Sequence, residues 1–299
     1  MLIDLDLKCS DRYLEDGDSR LFLHDLVRLL LRYKAIGGSG FQAAIGGAAH
    51  AILRSQFGCT MECFASPLNA RGAPFCSAFA DTDAPFGSIG SFLDFKPESG
   101  CYEVHPIPSA PPTPAYPTPT RSLPDPYPTP TRPLPLPYHS FQANPPFVPS
   151  LVLTMASHVR GLLDAAEMGD RELLFVVIVG SSSAMRKSDA WGALQELAHG
   201  RFGRSQWIVP LHHHGYTAGH AHIEKEGEQR RMSSCESAVF VFASSAANQR
   251  WPSTPEKESL FRAAMRLALP QKMKRLRKAD QKVSRQRKMS KKRRRVGQP

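Results

Sequence analysis

A proline-rich segment in the middle of the chain places the strongest limit on what this sequence can fold into. Residues 104–142 hold 14 of the 26 prolines, and they contain an 11-residue tandem repeat that begins at Tyr116 and again at Tyr127. Proline lacks the backbone N–H that helices and sheets need, so the segment is predicted to be polyproline-like or disordered. Any packed core must therefore come from the residues on either side.

Length, cysteine usage and hydropathy limit the classes of protein to which this chain can belong. Its 299 residues allow one good-sized catalytic domain with extensions. The six cysteines show no paired CxxC spacing, so we interpret them as reduced thiols inside a cell. The sequence has no run of about 18 apolar residues and no basic-then-apolar start, so neither a membrane span nor a secretory signal is predicted.

Hydrophobic periodicity before the proline-rich segment predicts two helices and a strand. Apolar residues recur at helical spacing over Ser19–Ile36. A second helix is predicted over Gln42–Phe57, weakened by the internal pair Gly46-Gly47. The segment Thr60–Ala65 is a predicted strand, and a tight loop then leads to an apolar segment, Phe75–Phe79, that would complete a strand-loop-helix unit. Such units bind ligands at the carboxyl ends of their strands.

The second half of the chain alternates predicted helices with apolar strands. A helix is predicted over Pro149–Glu167 and another from near Pro255. The continuous apolar run Glu172–Val179 is typical of a strand buried in a parallel sheet. Two further strands are predicted over Gln206–Leu211 and Ala238–Ala243. The expected fold class is therefore α/β with a single central, mostly parallel sheet.

The cluster Asn144-Pro145-Pro146-Phe147 suits chemistry on an exocyclic amine. The lone pair of such an amine is delocalised into the ring, so a site must redirect it before it can react. The Asn144 carbonyl group and the Pro145 backbone carbonyl group can each accept one N–H hydrogen bond. Proline holds the backbone rigid, and Phe147 can stack on a purine face. The alternative is a loop that happens to contain two prolines.

Motifs spread over most of the chain resemble those of one family. The most specific is the octet Glu62–Asn69. The other matching motifs are Leu31-Arg32-Tyr33, Phe75–Phe79 followed by Asp81-Thr82-Asp83, Phe86-Gly87-Ser88, Leu93-Asp94-Phe95, Asn144–Phe147, His214 with Tyr216, and Trp251–Glu256. From about Leu31 to Arg266 the chain resembles the phosphorylated-CTD-interacting factor family, which are cap-specific adenosine N6-methyltransferases that use S-adenosyl-L-methionine.

The resemblance implies a Rossmann-like methyltransferase fold and assigns roles to residues. Asn144, Pro145, Pro146 and Phe147 would be catalytic. The residues implied for the cofactor are Phe64, Ala65, Ser66, Pro67 and Asn69 in the loop after the first strand, with Asp81 and Asp83 as candidates for its ribose or amino group and Phe86 and Gly87 for its adenine. The alternatives are that the two aspartates are acidic turn residues and that Phe86 fills the core.

A histidine-rich loop would face the capped mRNA substrate. The resemblance covers His214 and Tyr216 there, which would stack on or hydrogen-bond the cap nucleotide. We discount a metal site, because no cysteine or acidic ligand spacing accompanies the histidines. Arg201 and Arg204 are plausible phosphate contacts by charge alone. A surface loop without a substrate role is the alternative.

The proline-rich segment breaks the family pattern beside the catalytic cluster. In the family an aromatic residue, an acidic or amide residue and alanine lead directly into the Asn-Pro-Pro-Phe cluster, so Tyr102-Glu103 should join Ala143. An in-frame insertion such as a retained intron would produce this break. The alternative is a genuine loop, residues 104–142, that binds SH3 or WW partners.

The two ends of the chain complete the predicted organisation. Residues 1–18 are interpreted as the remainder of a longer upstream region, residues 19–270 as the methyltransferase domain and residues 271–299 as a basic tail. The tail segment Lys272–Arg295 predicts nuclear import, an RNA tether or both. Family members carry a WW module upstream, which cannot fit before Ser19, so association with RNA polymerase II is not predicted. Functions kept open are methylation of internal adenines in RNA or DNA, an RNA-binding homologue with impaired catalysis, and a proline-rich adaptor.

Overall fold

The computed structural model describes residues 19–35, 44–71, 75–97, 100–104, 141–143, 148–217 and 230–270. In these residues helices and strands alternate along the chain. The helices are α1 Ser19–Ala35, α2 Gly47–Phe57, α3 Ala80–Asp83, α4 Pro149–Met168, α5 Ser183–Arg186, α6 Asp189–His199, α7 Ser245–Arg250 and α8 Pro255–Leu267, with a 3-10 turn at Ala84–Phe86. The strands are β1 Met61–Ala65, β2 Phe75–Ser77, β3 Gly100–Val104, β4 Phe141–Ala143, β5 Leu173–Gly180, β6 Gly203–Val209, β7 Gly215–Thr217, β8 Arg230–Met232 and β9 Ser237–Ala243.

Most predicted elements are confirmed, with shifted ends. The helix predicted over Gln42–Phe57 begins only at Gly47, because Gly46 is an extended N-cap residue. It ends at Gly58, whose φ of 68° belongs to the left-handed region that favours glycine. The prediction for Phe75–Phe79 was wrong, since Phe75–Ser77 forms a strand parallel to β1. A three-residue strand is too short to show its period in the sequence.

One large sheet organises the described residues. Its strands lie in the order β2-β1-β3-β4-β5-β9-β6. The pairs from β2 to β5 are parallel, whereas β9 runs antiparallel to both β5 and β6. The predicted α/β class is confirmed. The expectation of a single sheet holds only in part, because β7 and β8 form a separate two-stranded sheet.

Strands β3 and β4 share their neighbours. Both pair in parallel with β1, and both also pair in parallel with β5. On β5, Phe175 is the register partner of Tyr102 and also of Phe141. Val177 is the partner of Val104 and also of Ala143. We call the gap between β1 and β5 the shared strand position.

The core lies on both faces of the sheet, and β5 contributes to each. All eight residues of β5 are buried, as the apolar run predicted. Its alternate residues enter two different clusters, since successive side chains of a strand point to opposite faces. Phe175 and Val177 pack with α4 and α6, whereas Val176 and Ile178 pack with α2 and α8. The sheet is therefore covered by helices on both faces.

A third cluster holds the first helix against the loop after β2. Leu26, Leu29 and Tyr33 of α1 pack with Phe86 in this cluster. Among the residues that the structure describes, no helix combines the length and the apolar character that crossing a bilayer requires. The positions of the first helix and of the sheet edge next to it set the geometry of the candidate site.

Candidate active site

The carboxyl ends of the parallel strands bring several loops to one edge of the sheet, which we call the carboxyl edge. The loop after β1 begins at Ser66, the loop after β2 leads into α3, and the loop after β5 begins at Ser181. In doubly wound sheets this is the edge where ligands bind. Asn144 directly follows β4, which ends at Ala143 in the shared strand position. The predicted catalytic residues Asn144, Pro145, Pro146 and Phe147 lie outside the described residues, so their roles remain predictions.

The loop after β1 is held closed by its own side chains. The Ser66 backbone N–H donates to Asn69 Oδ1 at 2.7 Å, and the Ser66 hydroxyl group donates to the same oxygen at 3.0 Å. The Ala70 N–H donates to the Ser66 carbonyl oxygen at 2.8 Å, which closes a helical turn. The loop is therefore preorganised, and any further contact of Asn69 with a ligand would come from its NH₂ group.

Two contacts made by residues of β1 stabilise this loop and the strand before it. Glu62, at 5% exposure, accepts a hydrogen bond from the Arg71 backbone N–H at 2.5 Å. The Phe64 ring packs edge-on against Phe92, with 5.4 Å between the ring centroids. Ala65 and Pro67 are buried within the same stretch. The structure thus brings Phe64, Ala65, Ser66, Pro67 and Asn69 together, as predicted, while their contact with a cofactor remains a prediction.

Two aspartates after β2 pair with two adjacent residues of α1. Asp81 forms an ion pair with Arg32 at 2.5 Å on the surface. Asp83 accepts a hydrogen bond from the Tyr33 hydroxyl group at 2.6 Å in the interior. The Phe79 ring lies between them, with the Arg32 guanidinium group 4.2 Å from its centroid and the Tyr33 ring edge-on at 5.7 Å. The two aspartates therefore hold α1 against the carboxyl edge.

The two aspartates differ in what they can offer a ligand. Asp83 is fully buried, and burial raises its pKa to about 6 despite hydrogen bonds from Tyr33, Ser77 and Thr82. Burial and the neighbouring Asp83 carboxylate also raise the pKa of Tyr33. The Asp81 side chain is 58% exposed and remains accessible. The structure thus buries Asp83 and leaves Asp81 accessible, and contact of either aspartate with a cofactor remains a prediction.

Phe86 and Gly87 complete the loop after β2. Phe86 has no exposed surface and packs with α1, 6.5 Å from Phe22 between ring centroids. This placement favours the core alternative for Phe86. Gly87 has a φ of 92°, which only glycine adopts readily, and its N–H donates to Ala84. Gly87 therefore shapes the turn, and contact with a cofactor adenine remains a prediction for both residues.

His214 and Tyr216 meet at one buried hydroxyl group. His214 Nε2 lies 2.7 Å and the Tyr216 hydroxyl oxygen 2.5 Å from Ser237 Oγ. His214 Nδ1 lies 3.0 Å from the Pro210 carbonyl oxygen, and burial lowers the pKa of His214 to about 4. Ser237 is opposite Gly180, so the group lies near the carboxyl edge. These contacts with Ser237 join β7 to β9. Direct contact of His214 or Tyr216 with a nucleotide would require these contacts to break.

Arg201 and Arg204 lie at the opposite edge of the sheet. The Arg204 guanidinium group donates twice to the Ala243 carbonyl oxygen, at 3.1 and 2.7 Å, and Ala243 is opposite the start of β5. Arg201 pairs with Asp164 on α4. The eight-residue length of β5 separates them from the carboxyl edge by roughly 23 Å. The structure therefore does not bring these arginines to the site, contrary to expectation.

An arginine that the sequence did not single out supports the loop after β5. Arg186 donates to the Ser181 carbonyl oxygen at 3.1 Å and to the Ser181 hydroxyl group at 3.2 Å. It also forms an ion pair with Glu236 at 2.6 Å. The partners lie up to 50 residues apart in the chain, so no local pattern could reveal them. This network fixes the loop beside the shared strand position.

The described residues contain no group of three or more histidine, cysteine or acidic side chains that could hold a metal ion. Two histidines of the histidine-rich loop, His220 and His222, lie outside the described ranges. The arrangement at the carboxyl edge instead offers hydroxyl, amide and carboxylate groups on closed loops. Such groups can form hydrogen bonds with a polar ligand.

Comparison with known proteins gives one family. A family model described as "Phosphorylated CTD interacting factor 1 WW domain" matches residues 7–110 and 134–219. The gap in the match falls within the proline-rich segment. The match also argues against the expectation that this chain has no WW-related region.

Two relatives carry the same name. The chain is 30% identical over 259 residues to a human "mRNA (2'-O-methyladenosine-N(6)-)-methyltransferase", which covers 85% of this chain. It is 30% identical over 256 residues to the protein of that name from mouse, which covers 84% of this chain. The chain spans about 30% of the length of each of these relatives.

Proposed function

Because the chain belongs to the phosphorylated CTD interacting factor 1 family, we propose that it is an S-adenosyl-L-methionine-dependent methyltransferase. Its proposed substrate is the N6 atom of adenosine in mRNA, at the 2'-O-methyladenosine beside the cap. The observation that carries this proposal is the place of β4, which ends one residue before Asn144 between two parallel strands. That place would deliver Asn144 to the carboxyl edge, next to the loop after β1.

The sheet supports a Rossmann-like methyltransferase fold for this chain. Helices cover both of its faces, and its parallel strands end beside closed loops. Open sheets of this kind bind nucleotides and related cofactors outside the carboxyl ends of their strands. The reversed strand β9, inserted between β5 and β6, completes the arrangement.

The residues at the carboxyl edge fit the proposed cofactor by their chemistry. An amino acid carboxylate group needs hydrogen-bond donors, and the Asn69 NH₂ group and the backbone of the closed loop at Ser66 would supply them. Ribose hydroxyl groups need an acceptor, and the exposed carboxylate of Asp81 is one. When bound, S-adenosyl-L-methionine would supply an activated methyl group.

The catalytic cluster would act on the base. Asn144 and the Pro145 carbonyl group would each accept one N6–H hydrogen bond, which turns the nitrogen lone pair out of the ring plane. Pro146 would fix the Pro145 carbonyl group by restricting the backbone before it. Phe147 would stack on the adenine and exclude water. No general base is needed before the transfer, because the ammonium product loses its proton readily.

The Asn144→Ala variant tests this assignment. We expect turnover to fall by at least about a hundredfold, in line with the removal of one transition-state hydrogen-bonding group. Cofactor binding, measured by calorimetry, should stay within about twofold of the parent because Asn144 would contact only the base. Asn69→Ala is the matched control, and it should weaken cofactor binding. Loss of cofactor binding in Asn144→Ala, or unchanged turnover, would refute the role.

The choice of RNA substrate separates the main proposal from methylation of internal adenines. Methyl transfer is measured on an RNA that begins with a cap and 2'-O-methyladenosine, and on the same RNA without a cap. Equal rates on both would favour an internal adenine substrate. An RNA-binding homologue with impaired catalysis would bind the capped RNA without turnover.

Two further proposals concern the basic tail and the proline-rich segment, which lie wholly or mostly outside the described ranges. The basic segment Lys272–Arg295 supports nuclear localisation of the chain. The proline-rich residues 104–142 have the composition of an SH3 or WW ligand. Fluorescent fusion with and without residues 271–299 tests the first, and pull-down by isolated SH3 or WW modules tests the second.

A further inference from the structure

Strands β3 and β4 both pair with β1 and with β5, although β1 and β5 each have only one edge free for them. A strand forms hydrogen-bonded ladders along two edges only. One edge of β5 pairs with β9, so the other edge must serve both β3 and β4. One edge of β1 pairs with β2, and its other edge likewise serves both. Strands β3 and β4 also pair with each other at Gln142, so each of them has three pairing partners where a strand has two edges. Because adjacent strands lie about 4.8 Å apart, we interpret the gap between β1 and β5 as a place for one strand at a time.

The two strands fit this gap in the same register. Tyr102 and Phe141 are both partners of Phe175, and Val104 and Ala143 are both partners of Val177. Each pair is separated by 39 positions in the sequence. On the other side, Glu103 and Gln142 are both partners of Glu62. The chain therefore carries two strand sequences with the same register partners, one on each side of the proline-rich segment.

We propose that Gly100–Val104 and Phe141–Ala143 are alternative occupants of the shared strand position, and that Phe141–Ala143 is the favoured one. The register decides which is favoured. Occupation by β3 makes Glu103 the register partner of the buried Glu62, whereas occupation by β4 makes the neutral Gln142 its register partner. Like charges at directly opposed positions destabilise a sheet. The exchange is a conformational change in which one strand of the sheet replaces another.

The exchange also determines which residue comes after the strand at the carboxyl edge, a consequence that rests on the proposed function. When β4 occupies the position, the next residue is Asn144. When β3 occupies it, the next residue is His105, and the catalytic cluster is not delivered by the sheet. The state with β4 in place is therefore the catalytically competent one.

Cysteine trapping tests the exchange without relying on activity. The full-length triple variant Val104→Cys, Ala143→Cys, Val177→Cys is oxidised with diamide, and its disulfides are mapped by mass spectrometry. Cα atoms of opposed residues on adjacent strands lie within disulfide range, so the cysteine at position 177 can pair with either of the other two. We expect both products, with the 143–177 disulfide in excess. Adding Glu103→Gln should shift the ratio toward 104–177 by about two- to fivefold, as the loss of one like-charge pair implies.

A matched control moves the third cysteine by one residue. Ile178→Cys in place of Val177→Cys puts the thiol on the other face of the sheet, so neither product should accumulate. A single product in the Val177 variant, unchanged by Glu103→Gln, would overturn the proposal. Equal yields with the Ile178 variant would also overturn it, because they would show that register does not determine the products.

Deletions of different length provide a second, independent test. Removing the 39 residues 104–142 leaves one strand in unchanged register, so the melting temperature should match or exceed that of the parent. Removing the 38 residues 105–142 also leaves Gly100–Val104 in register with β5, so its melting temperature should be close to that of the 39-residue deletion. The longer deletion keeps Asn144 one residue after the partner of Val177, whereas the shorter one places Asn144 two residues after it, so methyl transfer to capped RNA should fall only in the shorter deletion. Unfolding of either deletion would contradict the shared position.

The two readouts separate this proposal from the proposed function. If trapping and stability behave as expected but the 39-residue deletion transfers no methyl group to capped RNA, the exchange stands and the methyltransferase proposal fails. If the deletion is active but only one disulfide ever forms, the exchange fails and the enzyme proposal stands.

Discussion

At the scale of single residues, Asp81 and Asp83 lie on the same short helix but contribute differently to the attachment of α1. Asp81 and Arg32 form an exposed ion pair, a type that contributes about 0–1 kcal/mol. Asp83 and Tyr33 are buried, and a buried polar group left without its partner costs about 1–3 kcal/mol. The buried contact therefore carries more of the attachment of α1 than the exposed ion pair beside it.

The pKa of Asp83 predicts a pH dependence of stability. Its folded-state pKa of about 6 lies above the ordinary value of 3.8. The folded state therefore holds the proton more tightly, so the stability that Asp83 contributes is fully present below pH 3.8 and is lost as pH rises through about 6. We expect Asp83→Asn to remove this loss. The free energy of unfolding of the variant, relative to that of the parent, should therefore rise from pH 4 to pH 7 by on the order of 2–3 kcal/mol.

Melting temperatures of the parent and of Asp83→Asn, measured from pH 4 to 7, check this prediction. Asp81→Asn is the matched control on the same helix, because it removes an exposed carboxylate two residues away. His214 acts in the opposite direction, because its pKa of about 4 makes the folded state lose stability as pH falls. Only the difference between variant and parent is therefore informative, and a flat difference for Asp83→Asn would contradict the assignment.

Sequence patterns could predict some residue roles and not others, for a physical reason. The closed loop from Ser66 to Asn69 was predictable because its residues lie within one motif. The pairing of Tyr33 with Asp83 joins residues 50 positions apart, and no periodicity reports such a contact. The edge at which Arg204 lies depends on the direction of β6, which results from its antiparallel pairing with β9. Local patterns do not contain that information.

At the scale of elements, β7 is held in a space that leaves no room for a side chain. A Cβ atom on Gly215 would lie 2.4 Å from the Ala268 carbonyl oxygen and 2.6 Å from that of Arg231. Both contacts are with backbone atoms, which cannot move aside as a flexible side chain does. The strand is therefore wedged between β8 and the end of α8.

Gly215→Ala should destabilise the protein by about 2 kcal/mol or more, because the added methyl group overlaps backbone on two sides. Gly192→Ala is the matched control, since a Cβ atom there meets nothing within 4 Å on α6. That control should stabilise the helix by about 0.5–1 kcal/mol. Chemical denaturation of the two variants measures both changes, and a neutral Gly215→Ala would show that β7 can move away from α8.

The elements that the sequence predicted well are those with long local signals. The periodicity of α1 and the apolar run of β5 each extend over many residues. The three-residue strand β2 was predicted as helix, and the separate β7-β8 sheet was not predicted, because strands this short show no clear period. Longer elements bury enough residues for their pattern to be visible in the sequence.

At the scale of the whole molecule, the positive charge is confined to one end of the chain. Residues 272–295 contain 14 Lys and Arg and one Asp, which leaves the rest of the chain with a net charge of −2. The phosphate backbone of an RNA is therefore attracted chiefly to this tail. The folded part contributes the shape of the site and its hydrogen-bonding groups. Removing residues 271–299 should lower the affinity for a single-stranded RNA by at least about tenfold at low salt.

The salt dependence of RNA binding checks this prediction by fluorescence anisotropy. The slope of log affinity against log salt should become much shallower in the truncated chain. A variant with Gln in place of the five basic residues 291–295 is the intermediate control. An unchanged slope after truncation would mean that arginines of the folded part, such as Arg201, bind the phosphates.

The shared strand position has one more consequence, for the way the molecule comes apart. Among the described strands, β2 and β1 connect to β5, β9 and β6 only through whichever strand lies between β1 and β5. The sheet is thus two part-sheets joined along a seam, one built from residues 61–77 and the other from residues 173–243. If neither strand lay between β1 and β5, the hydrogen-bonded sheet would divide into two parts that could unfold separately. A destabilising change elsewhere in the sheet would leave it a single cooperative unit.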